Sequence, residues 1–228
     1  MTLRAVLVLA LSAASQLPGQ STGRIEGTAL ISPRLSTVRT PVRVYREPGP
    51  SAEAPPPETH AFSNVVIYLE DVPPGVGNTR PLGPGPAMRQ RGEQFVPRVL
   101  AVQVGTTVAF PNDDPIYHNV FSLSRARSFD LGRYARGEAK SVTFNSRGVV
   151  QVFCHIHSDM SGTVLVFPHR WFVTPSADGS FLLDDVPPGE YRLVGWHERM
   201  RPVEQRIRVT AGGTTAVRVS LPVTEPQP

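Results

Sequence analysis

From Gln94 to Phe167 no apolar run keeps a helical period, and short β-branched segments alternate with turn residues. Strands are predicted near Val99–Val104, Thr106–Phe110, His118–Ser122, Ser141–Phe144, Val149–Cys154 and Thr163–Phe167. Gly105, Asn112-Asp113, Gly132, Gly137 and Gly148 read as the turns between them. The flanking stretches have the same character. "GRIEGTALI" (Gly23 to Ile31) and "NVVIYLE" (Asn64 to Glu70) read as strands. "DGSFLLDDVPPGEYRLVGWHE" reads as two strands around a Pro-Pro-Gly turn, and "EQRIRVTAGGTTAVRVSL" as a hairpin across Gly212-Gly213. Two proline-rich stretches, Glu47 to His60 and Asp71 to Pro86, cannot build a core and read as loops. "LEDVPPG" (Leu69 to Gly75) returns as "LDDVPPG" (Leu183 to Gly189), which points to two equivalent strand-to-turn corners. The expected fold class is all-β, built as sandwiches.

The first twenty residues are of another kind. Arg4 precedes an apolar run from Ala5 to Ala14, small residues follow, and Pro18-Gly19 end it. That is the layout of a secretory signal peptide. The run is too short to span a bilayer, and no other stretch is apolar enough to do so. An exported chain meets an oxidising compartment, where cysteines usually pair. This chain has one cysteine, Cys154, so no internal disulfide can form. Of 23 basic residues only Lys140 is a lysine, and the arginines are scattered rather than interleaved with aromatics. Nothing there marks a nucleic-acid surface.

The lone cysteine sits in "QVFCHIHSDM", Gln151 to Met160, beside His155, His157 and Met160. Cys154 ends a predicted strand, His157 follows past a turn, and Met160 comes three residues later. "FPNDDPIYHNVFS" supplies His118 at the start of another strand. Two imidazoles and a thiolate in one plane, with a weak axial thioether, make a blue-copper donor set. Zinc suits Cys154, His118 and His157 as well, and the methionine tips the choice to copper. An inert core cysteine would not explain the neighbouring histidines. Met160 taken alone is equally well core filler. Strand alternation turns His155 away from the other donors. Asp113-Asp114 and Asp184-Asp185 read as turn residues rather than acid–base pairs. No nucleophile triad or phosphate-binding glycine loop is present, so no enzyme is expected.

The pair "FPNDDPIYHNVFS" and "CHIHSDM" resembles the cupredoxins, and its C-x-x-H-x-x-M spacing is especially similar to that of amicyanin. The likeness runs from about Gln94 to Phe167 and includes "VGTTVAFPN", "GVVQVFC" and "GTVLVF". It implies a Greek-key sandwich holding one type 1 copper per chain on His118, Cys154, His157 and Met160. It also implies that Asn119 ties the two ligand loops together, and that single electrons pass to and from a redox protein partner. Pro115, Ile116 and Tyr117 would supply part of an apolar docking face, with ordinary turn packing the other reading of those three. "TPSADGSFLLDDVPPGEYRLVGWHE" resembles a second family, the carboxypeptidase regulatory-like (transthyretin-like) sandwiches, through Asp178-Gly179, Val186-Pro187-Pro188-Gly189 and Tyr191.

The expected layout is a signal peptide over 1–20, N-terminal strands over 22–75, a cupredoxin unit over 88–169, a smaller transthyretin-like sandwich over 171–222 and a tail over 223–228. Residues 171–222 supply too few strands to close a sandwich. The strands of 22–75 are therefore expected to complete it, with "NVVIYLE" in the first sheet of the cupredoxin as the alternative. The expected function is that of an exported, periplasmic or extracellular, single-electron carrier. A copper carrier or sensor and a metal-free surface scaffold are the rivals.

Overall fold

The computed structural model describes residues 21–32, 60–77 and 84–222. The signal-peptide segment, most of the first proline-rich stretch and the tail lie outside these residues. Among the described residues there are sixteen strands and no helix. In chain order they begin with β1 (Gly23–Ile31), β2 (Val65–Glu70), β3 (Arg89–Gln90), β4 (Phe95–Val96), β5 (Val99–Gln103) and β6 (Thr106–Pro111). Then come β7 (His118–Ser124), β8 (Arg127–Tyr134), β9 (Ala139–Phe144), β10 (Gly148–Phe153) and β11 (Ser161–Phe167). The last are β12 (Phe172–Val173), β13 (Ser180–Val186), β14 (Gly189–His197), β15 (Val203–Val209) and β16 (Thr214–Leu221). The protein is all-β.

Strands β5 to β11 build one sandwich. Its larger sheet has the order β5-β11-β10-β7-β8. Against it stand the β6–β9 pair and the β3–β4 hairpin, which joins β6 through bridges at Ala87–Ala109 and Gln90–Asn112. The inward residues of alternating strands fill the space between: Val108, Phe110, Val120, Phe144, Val150, Val152 and Val164 among them. Cys154 and Met160 belong to this same core.

The two ends of the chain meet in a second sandwich. Strand β1 lies between β13 and β16, antiparallel to the first and parallel to the second. Strand β2 lies between β12 and β14, antiparallel to both, and β15 closes that sheet. Val65–Leu69 therefore pair with Leu193–His197 and not with the sandwich of β5 to β11. The run "VVIYLE" lacks polar alternation because both of its faces are covered. Val65, Ile67 and Leu69 face the core with Leu193 and Trp171, while Val66 packs with Val99, Leu165 and Phe167 of the other sandwich. Tyr68 and Phe172 join that junction at ring distances of 4.7 and 5.0 Å from Phe167. Arg98 with Glu198 at 2.8 Å, and Gln103 Nε2 donating to Gly77 O at 3.0 Å, tie its rim.

Two sequence expectations are corrected. The Gly212-Gly213 turn does not make a hairpin, because β15 pairs with β14 in one sheet and β16 pairs with β1 in the other. The turn crosses the core instead of folding back along one sheet. Gly132 is not a turn but an interior residue of β8, a strand the sequence reading missed. Its φ of +65° accompanies a register shift between Asn119 and Phe121, so it serves as a bulge on an edge strand. The repeated corners, by contrast, do share a backbone feature: Asp71 and Asp185 stand at matching places and both have positive φ, 62° and 52°.

Candidate metal centre

The site lies where β7 begins and β10 ends. His118 is the first residue of β7 and Cys154 follows the last residue of β10, and both are buried. From Cys154 the chain makes a tight return to β11. Met160 N donates to His157 O at 3.0 Å and Cys154 N donates to Met160 O at 3.1 Å. This loop carries His157 beside the cysteine and buries Met160 at its end.

Three donor atoms converge there. Cys154 Sγ is 3.9 Å from His118 Nδ1 and 3.8 Å from His157 Nδ1, and the two Nδ1 atoms are 3.1 Å apart. Metal–nitrogen lengths of about 2.0–2.1 Å and a metal–sulfur length of about 2.3 Å put N and S roughly 3.8 Å apart at about 120°, and two nitrogens roughly 3.1 Å apart at about 100°. The observed separations fit one ion shared by all three. Among the described residues this is the one cluster of His, Cys, Asp or Glu side chains arranged to hold a metal.

The surroundings prepare the donors. Burial opposes ionisation of Cys154, but His118 and the backbone N–H groups of Asn119, His157 and Ile156 outweigh it and hold the thiol down at about 6. Burial likewise opposes a charge on His118, yet its bonds to Asp114 and Cys154 carry the ring up to about 9. The downward shift of the thiol favours the ionised sulfur that metal binding requires.

Asn119 spans both loops. Its Oδ1 accepts from His155 N at 3.1 Å and its Nδ2 donates to Asp130 Oδ1 at 2.7 Å. His155 leaves on the outer face, stacked on Phe121 with ring centroids 3.7 Å apart and an interplanar angle of 2°. His157 is half-buried, and its neighbours in the two loops include exposed Ile116, Tyr117 and Ile156, at 39%, 61% and 39%, together with exposed Ser158 and Asp159.

Sequence reasoning missed Asp114. It is buried, and its Oδ2 lies 2.8 Å from His118 Nε2. Its position four residues before a histidine was the available signal, but a turn reading accounts for the same Asp-Asp-Pro string. Asp113 does face outward, paired with Arg89 at 2.6 Å.

No protein-family model matches the chain. No curated protein matches it either. Solved structures do. A purple cupredoxin from Nitrosopumilus maritimus is 24% identical over 36% of this chain and 99% of its own, with a TM-score of 0.33. A reduced amicyanin variant is 21% identical over 44% of this chain and 98% of its own, with a TM-score of 0.36. A copper-containing nitrite reductase from Thermus scotoductus SA-01 is 28% identical over 43% of this chain and 25% of its own, with a TM-score of 0.36.

Proposed function

We propose that this chain is an exported type 1 copper protein that carries single electrons between redox protein partners and catalyses no reaction itself. One observation carries the reading: a buried thiolate and two Nδ1 atoms converge within one ion's reach. His118, Cys154 and His157 would hold the copper, with Met160 as the weak axial donor. Thiolate and thioether suit Cu(I) and imidazole suits both oxidation states, so this mixed set favours copper over zinc. A bound copper ion would supply reversible one-electron exchange at this position.

The chain's own residues do the rest. Buried His118 and Cys154 sit at the ends of two neighbouring strands, so the donors keep their places whatever the charge of the ion. His157 is the donor nearest solvent. Ile116, Tyr117 and Ile156 beside it offer an apolar face on which a redox partner can dock without losing hydrogen bonds. Asn119 keeps the two loops in register.

In this reading residues 88–169 are the cupredoxin unit. Residues 22–75 and 171–222 together are a transthyretin-like scaffold into which it is inserted. The pairing of β1 and β2 with C-terminal strands supports that division. Export is supported by the leader pattern of Arg4 and the Ala5–Ala14 run. No helix among the described residues is long and apolar enough to cross a membrane.

The test is a copper titration of the full chain, followed by absorption spectra and voltammetry. One copper per chain, an intense visible band and a reversible wave are expected. Copper uptake without that band would overturn the type 1 reading. A blue protein without a reversible wave would point to a carrier or sensor, and no uptake would leave only a scaffold.

A further inference from the structure

The β3–β4 hairpin does more than close a corner of the sandwich. Its two-residue turn, Gly92-Glu93, has φ of +63° and +58°, and Arg91 and Gln94 exchange both backbone hydrogen bonds across it. This geometry aims two successive N–H groups at one point. Gly92 N donates to Asp114 Oδ1 at 2.6 Å and Glu93 N donates to Asp114 Oδ2 at 2.9 Å. The same Oδ2 takes His118 Nε2 at 2.8 Å. The loop behind Asp114 is pinned as well. Asp114 N donates to Asn112 Oδ1 at 2.9 Å, and Asn112 Nδ2 donates to Ile116 O at 2.9 Å and to Tyr134 O at 3.1 Å.

We propose that Asp114 is a positioning residue for the metal centre: gripped by the β3–β4 turn, its carboxylate fixes the His118 ring through Nε2 and places a negative charge behind it. The proposal rests on the copper reading of the same residues. A neutral acceptor would satisfy Nε2 equally well without burying a charge, so the hydrogen bond alone does not call for a carboxylate. What the charge adds is electronic. A carboxylate on the far nitrogen makes the near one a stronger donor and fixes the ring's orientation. The stronger donor and the negative charge behind it favour the more highly charged oxidation state, so Asp114 holds the reduction potential down.

Asp114→Asn keeps the shape and one acceptor but removes the charge. In the copper-loaded full chain it is expected to keep the visible band, which reports the Cys154 bond. The ratio of Cu(I) to Cu(II) affinity should rise about tenfold, which for a one-electron couple is about 59 mV upward. A blue Asp114→Asn protein with the wild-type potential overturns the proposal and leaves the copper reading intact. If the variant does not fold, the reduced wild-type protein decides by proton NMR. The Nε2 proton of His118 is expected far downfield and slow to exchange with water. An Nε2 proton that exchanges as fast as that of His157 overturns the proposal. A wild-type chain that gives no strong visible band with copper overturns the copper reading and this proposal with it, before any variant is made.

Discussion

Cys154 and His118 are buried side by side: Asp114 and Cys154 raise the ring, and His118 with nearby backbone N–H groups lowers the thiol. The thiol is held low and the ring high. A lowered thiol favours the ionised sulfur that an incoming cation binds. Cys154→Ser should therefore abolish the intense visible band of the copper form, because a hydroxyl is a hard and poorly ionised donor. Met160→Leu should keep copper and colour but raise the potential, since loss of a weak donor favours Cu(I). Spectra and voltammetry of both variants check this, and a Cys154→Ser protein that stays blue defeats the assignment of the thiolate. Asn119 acts one step further out, through its bonds to His155 N and Asp130. Asn119→Ala should leave copper bound, lower the stability of the holo form by about 1 kcal/mol and shift the potential. Thermal unfolding and voltammetry would show wild-type values if Asn119 did not link the loops.

Strands were legible in the sequence where the alternation of faces was clean, and lost where charge masked it. Strand β8 shows an alternating burial pattern, but its outward residues include Asp130 and Arg133 and it carries a bulge glycine. As an edge strand it needs only one apolar face, so the string resembles a loop. The turn after β15 was also legible as a turn, yet the choice between returning to the same sheet and crossing to the other was not. That choice belongs to the partners: β1 offers β16 a parallel edge eight residues long. Gly195 in β14 shows how closely the two sheets then approach. A Cβ at that position would stand 2.7 Å from Val219 Cγ1 and 3.1 Å from Leu221 Cδ2, both on β16. Gly195→Ala should destabilise this sandwich by about 1–3 kcal/mol through overpacking. Denaturant unfolding measures the loss, and the copper band of the folded protein should not move.

Two histidines outside the candidate site, His169 and His197, are buried and held neutral. His169 donates from Nε2 to Leu69 O at 3.0 Å and accepts at Nδ1 from Trp171 N at 3.3 Å. His197 accepts at Nδ1 from Arg199 N at 3.2 Å. Burial lowers the pKa of both below the ordinary value of 6.5, and a proton on either Nδ1 would face an N–H donor. The folded state then binds fewer protons than the unfolded state between the lowered value and 6.5. Stability from these rings is complete above about pH 6.5 and is lost as the pH falls through that window. The denaturation midpoint should drop between about pH 7 and 5 more steeply in wild type than in His169→Gln, which takes up no proton there. Equal slopes for the two proteins would show that His169 is not held neutral.

The sequence by itself determined the strand class and marked His118, Cys154 and His157 as candidate donors, which the structure brings together. Period-2 burial, turn residues and the chemistry of Cys, His and Met are local properties, written within about ten residues of one another. It also held the hint that the ends of the chain belong together, because the C-terminal strands were too few to close a sandwich alone. Only the tertiary structure decided what depends on residues far apart in the chain. It set the convergence of His118 with Cys154 and His157 across 36 and 39 positions. It sent β15 and β16 into different sheets. It placed the Gly92-Glu93 turn on Asp114, 22 and 21 residues away. A buried carboxylate and a turn aspartate look the same in a string of letters, because burial is conferred by whatever packs over the residue and not by the residue itself.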